Sequence, residues 1–449
     1  MVSSQHSVIR RKTADFGFDS LDSIRFPRIR FHRALSVLRS TTLSSQEHCA
    51  TSFFEHFPLF FTLIILAPFH STLPSESGLA KSVRTMSQAR DPRYAASGVD
   101  STKAEAGLSL LKTWVEHTFP LNPHARPHLP LGYFANIIRL DGLNIGIAIS
   151  TDGVGTKLLI AEMLGKYDTV GIDCIAMNVN DLLCVGATPV SFVDYIAVEE
   201  LHPEVLGEIG KGLFVGAQQA RVSISGGEIA QLRDMIRGVR PGGGFDLAGT
   251  AIGTVPLDKV IVGEGARPGD VIIGLASSGI HSNGLSLARR VLLKDTELKV
   301  DSYIHEFGRT VGEELLEPTR IYVPEITEMF AANLKITALA HMTGDGFFNL
   351  TRTAKSLGFR IHTLPSIPAI FSVIQEVGKL SDAEMFQVFN MGIGFCVVVA
   401  EADADRVMRI AADHGVRAWR IGETVASEER TVTIEPRRLR SQEQRFVEF

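Results

Sequence analysis

Thr151-Asp152-Gly153-Val154-Gly155-Thr156-Lys157 packs a carboxylate, two glycines, hydroxyls and an ammonium into seven residues, directly after the apolar run 145–149. A strand that ends in such a loop suits a metal–phosphate group. Asp152 can hold a divalent cation, Gly153 and Gly155 let backbone N–H groups approach phosphate oxygens, and Lys157 supplies countercharge. The loop is not a Walker A sequence, because its glycines and lysine stand in the wrong order, and it lacks the G-x-G-x-x-G dinucleotide fingerprint. Taken alone, the heptapeptide also reads as a tight turn carrying a surface lysine.

The chain has 449 residues, enough for two domains with full cores. A hydrophobic content of 45% and 40 glycines fit an α/β protein with many tight turns. The formal charge of −5 is spread without long single-sign runs, which argues against a general nucleic-acid binder. Four scattered cysteines, Cys49, Cys174, Cys184 and Cys396, make neither a disulfide framework nor a zinc site, so a reducing cytoplasm is the expected setting. Residues 1–85 differ in character, holding ten of the 26 phenylalanines. Their apolar run 57–69 is short and bounded by prolines, which argues against a membrane span. A targeting peptide and a membrane-associated segment are the competing readings; the expectation is an extension without a settled fold, ahead of Met86.

Working outward from the heptapeptide, 134–140 and 143–150 read as strands joined at Asp141-Gly142, after a helix over 107–119 with Leu108, Leu111, Val115 and Phe119 on one face. Helices over 173–185 and 203–220 flank a strand at 190–198; shorter strands follow at 222–225 and 246–255. The N-terminal domain is expected over 86–257 and a second α/β domain over 258–430. The latter has strands at 271–275, 336–340 and 395–400 and helices at 283–293, 347–357 and 403–414. Residues 431–449 read as a frayed tail. Strands of the first sheet carry apolar positions on both faces, which calls for a second copy to cover one of them.

Polar clusters sit at the edges of these elements. Asn178 and Asp181 share a helix face at i and i+3, and Asp181 can reach a cation that Asp152 also touches; capping and solvation of the helix is the other reading. Gly226-Gly227-Glu228 adds a strand-end carboxylate beside permissive glycines. Ser277-Ser278-Gly279-Ile280-His281-Ser282-Asn283-Gly284 brings hydroxyls, an imidazole and an amide to a turn before a helix; His281 reads as either a turn residue or an acid–base group. Carboxylates for a metal and glycines for phosphates fit ATP-dependent phosphoryl transfer better than covalent hydrolysis.

These residues carry a resemblance. With Ser97-Gly98-Val99-Asp100, Gly171-Ile172-Asp173, Asp246-Leu247-Ala248-Gly249, Gly269-Asp270-Val271, Pro318-Thr319-Arg320 and His341-Met342-Thr343-Gly344, the sequence from about residue 94 to 425 resembles the phosphoribosylformylglycinamidine cyclo-ligase (aminoimidazole ribonucleotide synthetase) family, in its archaeal-type branch. The resemblance implies two α/β domains, with N-terminal sheets paired across a homodimer. It also implies ATP- and Mg²⁺-dependent closure of formylglycinamidine ribonucleotide to aminoimidazole ribonucleotide, the fifth step of purine synthesis. A small-molecule phosphotransferase of the same architecture is the alternative.

By that resemblance the metal falls to Asp152, Asp181 and Glu228. ATP and its phosphates fall to Asp152, Gly153, Gly155, Thr156, Lys157, Asn180, Asp181, Gly226 and Gly227. The ribonucleotide falls to Ser278, His281, Ser282 and Asn283, and catalysis to Lys157 and His281. Two places depart from the family's pattern. A glycine-rich loop reads Leu131-Gly132-Tyr133-Phe134-Ala135-Asn136, and a triple-glycine turn reads Thr343-Gly344-Asp345-Gly346. Asp345 is expected to take the backbone conformation of the glycine it replaces, and its charge to disfavour an anion nearby.

Overall fold

The computed structural model describes residues 101–443 and 445–449. The expectations for residues 1–85, and the Ser97-Gly98-Val99-Asp100 motif, lie outside the described residues.

Helix α1 (Ser101–Glu116) and strand β1 (Ala125–Pro127) lead to β2 (Asn136–Leu140), which turns through Gly142 at φ 78° into β3 (Ile145–Gly153). After the heptapeptide come α2 (Leu158–Leu164), α3 (Val170–Leu183), β4 (Thr188–Val198), α4 (Pro203–Ala220), β5 (Ser223–Gln231) and β6 (Phe245–Pro256). The strands form one sheet in the order β1-β2-β3-β6-β4-β5, antiparallel except for the β4/β5 pair that α4 connects. Helices α3 and α4 pack together over this sheet. Their close approach is set by small residues: a Cβ at Gly171 would collide with the Leu213 backbone nitrogen.

Alternation along β3 buries Gly146, Ala148 and Ser150 beneath the helices and leaves Ile145, Ile147 and Ile149 outward. Helix α1 forms but ends at Glu116, short of Phe119, and its apolar stripe is not packed: Leu108 is 64% and Leu111 60% exposed.

The second half contains β7 (Val271–Ala276), α5 (Leu285–Arg289), the two-stranded β8 (Tyr303–Ile304) and β9 (Arg309–Thr310), α6 (Val311–Leu315) and α7 (Val323–Ala331). There follow β10 (Ile336–His341), β11 (Gly358–Ile361), α8 (Ala369–Gly378), α9 (Asp382–Val388), β12 (Ile393–Val399), α10 (Ala404–Asp413), β13 (Ala418–Val425), β14 (Thr431–Ile434), β15 (Leu439–Gln442) and β16 (Arg445–Glu448). Eight of these strands pair in the order β10-β12-β7-β13-β11-β14-β15-β16. Every residue of β7 and β12 is buried, as their unbroken apolar runs require.

Three expectations change here. Residues 431–449 are not a frayed tail: β14, β15 and β16 extend the sheet, and the buried Phe446 ring packs against Phe348, their centroids 4.4 Å apart. Their polar residues belong to the solvated side of edge strands, which hid the alternation. The helix at 347–357 is only a 3₁₀ stretch, Gly346–Thr351. Thr351 Oγ1 bonds back to the Phe348 carbonyl at 2.8 Å, a local bond that competes with helix continuation. The helix at 283–293 begins at Leu285 and passes into a π turn, Arg290–Lys294. Among the described residues no helix is long and apolar enough to cross a membrane.

Candidate active site

The heptapeptide is a strand, a turn and a helix start. Asp152 is the penultimate residue of β3, Gly155 takes φ 71°, and a 3₁₀ turn (Gly155–Lys157) feeds α2. Thr151 Oγ1 donates to the Gly249 carbonyl at 2.8 Å, and the Val154 N–H to Leu247 O at 3.0 Å, so β6 fixes the loop from one side. From the other side α3 presents Asn178, whose amide donates to the Asp152 carbonyl at 3.2 Å and to Cys174 O at 2.8 Å. Asn178 Oδ1 is buried with no partner, an acceptor next to the end of the strand.

Asp152 and Asp181 lie near enough for their charges to interact. Burial raises the Asp152 carboxyl above the ordinary carboxylate range, and the charge of Asp181 adds to the rise; the Gly153 N–H, 2.7 Å from Asp152 Oδ1, opposes it. Asp181 is held from the second half of the molecule: His341 Nδ1 lies 2.9 Å from its Oδ1. The other ring nitrogen is 3.4 Å from Asn180 Nδ2, which suits a proton on Nδ1 donated to Asp181. Two repelling hard carboxylates match what Mg²⁺ takes from a protein when phosphate oxygens complete its octahedron. Among the described residues no group of three or more His, Cys, Asp or Glu converges as a self-sufficient metal cage.

Glu228 stands apart from this pair. Strand β5 runs on through Gln231, so Gly226-Gly227-Glu228 lies within an edge strand rather than at a strand end. In register, Asp152 is opposite Gly249, Gly249 opposite Asp194, and Asp194 opposite Gly227. Glu228, next in sequence, therefore points to the other face and is exposed. The carboxylate in the row of Asp152 is Asp194, which the sequence reading missed; burial raises its carboxyl as well. The signal was a lone acid inside the apolar strand 190–198.

Lys157 is neither a surface lysine nor a solvent-facing phosphate ligand in this structure. It is wholly buried, its ammonium 2.9 Å from Asp173 Oδ1 and 2.5 Å from the Glu317 carbonyl. Burial pushes its pKa down, and Asp173 pulls it back. Asp173 Oδ1 also accepts from the Thr319 N–H at 2.7 Å, Thr319 Oγ1 at 2.6 Å and Ser282 Oγ at 3.1 Å, while Oδ2 is buried without a partner. Asn180 is similarly committed: its oxygen accepts from the Tyr322 N–H at 3.0 Å and its amide donates to Arg320 O at 2.8 Å. Both residues join α3 and the heptapeptide to the 317–322 segment.

The 277–284 loop closes over this junction. His281 has φ 65°; its Nε2 accepts from the backbone N–H groups of Ser278, at 3.2 Å, and Arg320, at 3.5 Å. Burial, then the nearby His341, Lys157 and Arg320, hold its pKa well below the ordinary histidine value, and its Nδ1 is buried without a partner. Ser278 Oγ donates to Pro318 O at 2.5 Å and Thr156 Oγ1 meets Ser286 Oγ at 3.0 Å. Asn283 is half-buried, with only the weak acceptor Met177 Sδ 3.8 Å from its amide nitrogen.

Asp345 does not take a left-handed backbone. Its φ is −94°, and Gly346, at φ 52°, makes the turn; a Cβ at Gly346 would collide with the Phe386 carbonyl. The Asp345 charge faces Arg352, 2.8 Å away, rather than standing alone.

The description "AIR synthase related protein, N-terminal domain" matches residues 134–255, and "AIR synthase related protein, C-terminal domain" matches 267–435. The chain is 50% identical over 330 residues to a phosphoribosylformylglycinamidine cyclo-ligase of Methanothermobacter thermautotrophicus, covering 74% of this chain and 93% of that one. It is 46% identical over 321 residues to the protein of that name from Methanobrevibacter smithii, covering 72% and 91%. In backbone, the thiamine monophosphate kinase of Aquifex aeolicus shares the fold, with TM-score 0.50 at 14% identity over 73% of this chain and 96% of that one. By sequence across both halves and by fold, the chain belongs to the phosphoribosylformylglycinamidine cyclo-ligase family of AIR synthase-related proteins.

Proposed function

We propose that the chain catalyses ATP-dependent cyclisation of formylglycinamidine ribonucleotide to aminoimidazole ribonucleotide, releasing ADP and phosphate. The observation that carries this reading is 50% identity to a cyclo-ligase along nearly that protein's whole length. An amide oxygen leaves poorly. Transfer of the γ-phosphoryl group forms an O–P bond at the formamide oxygen as the bond to ADP breaks. The amidine nitrogen then bonds to the activated carbon, phosphate departs with the oxygen, and the nitrogen gives up a proton. Ring closure is intramolecular once the substrate is held folded, and such positioning can supply several kcal/mol.

Asp152 and Asp181 would hold Mg²⁺, which when bound supplies charge stabilisation at the transferring phosphoryl oxygens. His341 fixes the Asp181 carboxylate through Nδ1. The backbone N–H groups of Gly155 and Thr156 would face the phosphate chain; those of Gly153 and Val154 are bonded to Asp152 Oδ1 and the Leu247 carbonyl. Asn283, whose amide has among the described residues only the weak acceptor Met177 Sδ, takes the ribonucleotide. Ser278, Ser282 and Lys157 spend their polar groups on the junction, as His281 does through Nε2, and they shape the pocket through it. Gly226, Gly227 and Glu228 line the sheet edge, away from the metal. The outward apolar face of β3, β4 and β6, with exposed Ile145, Val190 and Tyr195, and the unpacked stripe of α1 support a homodimer. The setting we propose is the cytoplasm.

The test is incubation of the purified chain with formylglycinamidine ribonucleotide, ATP and Mg²⁺, with detection of the closed imidazole, backed by complementation of a purine auxotroph. Turnover of ATP on another small molecule, with the ribonucleotide untouched, would replace this reading by the phosphotransferase one.

A further inference from the structure

Arg352 joins the two stretches whose sequences stood out without an assigned role. Its guanidinium carbon sits 4.9 Å from the centroid of the Phe134 ring, in the 131–136 loop, and its Nη2 lies 2.8 Å from Asp345 Oδ2 in the 343–346 turn. Phe134 is buried, so the ring is a fixed platform, and a cation over an aromatic face is held by the ring quadrupole. Asp345, by contrast, is 62% exposed. One side of the guanidinium is thus anchored in the protein and the other is paired to a carboxylate in solvent, a bond worth little by itself.

The surroundings are those of the candidate site. Three residues before Gly344, His341 holds Asp181, and a Cβ at Gly344 would lie 3.1 Å from Asn283 Oδ1. Arg352 also lies close enough to Asp152 for its charge to favour the ionised carboxylate. A planar, permanently charged fork with five donors, only one of them bonded to Asp345, matches the geometry of a phosphate group.

We propose that Arg352 is a phosphate-binding residue of this site, stacked in place by Phe134 and held ready by Asp345 until a phosphate takes over its free donors. The proposal rests on the reading of Asp152 and Asp181 as the metal–phosphate centre. The phosphate belongs either to the nucleotide or to the ribonucleotide, and kinetics separates them. Arg352→Gln should raise the KM of one substrate by about tenfold or more, the loss of a charged hydrogen bond, while the melting midpoint of the unliganded protein holds. A rise for ATP assigns the nucleotide; a rise for the ribonucleotide assigns its 5′-phosphate. Arg352→Lys should recover part of the loss, and Asp345→Asn should move the same KM by a smaller factor. Unchanged KM values for both substrates in Arg352→Gln would overturn the proposal. If that variant does not fold, the exposed Asp345→Asn substitution decides by the same criterion. Calorimetric titration with Mg²⁺ and a non-hydrolysable ATP analogue, and separately with the ribonucleotide, reads the same losses without turnover. A wild type that binds these ligands but closes no ring would therefore defeat the functional reading and leave Arg352 still tested.

Discussion

Two aspartates on helix α3 meet opposite fates. Asp173 receives four hydrogen bonds on one oxygen, including that of a buried ammonium, and every donor comes from the heptapeptide or the second half of the chain. Asp181 has His341 and the like charge of Asp152. Asp173 is wholly buried with one oxygen matched by four donors, whereas Asp152 and Asp181 are partly buried and keep a mutual repulsion that a cation would relieve. A buried charge with four donors on one oxygen fixes one arrangement of the chain; an under-matched pair near a strand end marks where a ligand enters.

The comparison breaks most readily at Lys157. Replacing it by Met removes one partner of a fully buried pair and strands the other, which should cost about 3–5 kcal/mol of stability. Denaturant unfolding checks this, and an unchanged midpoint would mean that Asp173 finds other compensation. His281 sharpens the same side through pH. Its folded pKa is depressed, so the folded chain keeps it neutral while the unfolded chain takes up a proton near the usual value of about 6.5. Stability contributed by the neutral ring is present above that value and is lost as pH falls toward the depressed folded pKa. His281→Gln should flatten the decline of the melting midpoint over this acid window. Glu228→Gln should be nearly silent, within about 0.5 kcal/mol in stability and with unchanged turnover, because its strand position turns it away from Asp152. A large loss of turnover would return Glu228 to the metal site, by a route that the single chain does not provide.

What the sequence disclosed follows from how local each feature is. The strand–loop–helix of the heptapeptide and the shared face of Asn178 and Asp181 depend on neighbours within a few residues, and both are found. Lys157 looked available because a lysine after a glycine loop is commonly solvated. Its burial depends on Asp173 and Glu317, contacts across the two halves that no local pattern carries. Glu228 was misplaced by ending its strand at the first glycines, which shifted the edge strand and concealed that Asp194 shares the row of Asp152. His341 was visible as part of a motif, but its bond to Asp181 needed the two sheets to be assembled. The C-terminal strands were masked by a polar composition that suits edge strands as well as it suits a tail.

Asp152→Asn tests the central contrast most directly. Isothermal titration with Mg²⁺ and a non-hydrolysable ATP analogue, run beside a melting curve, separates ligand binding from folding. Loss of the partly buried, repelled charge should leave the melting midpoint unchanged or raised, while affinity for the nucleotide falls about tenfold or more, as expected for a charged contact. Equal affinity in the variant and the wild type would show that the under-matched pair is not where the metal and phosphate bind.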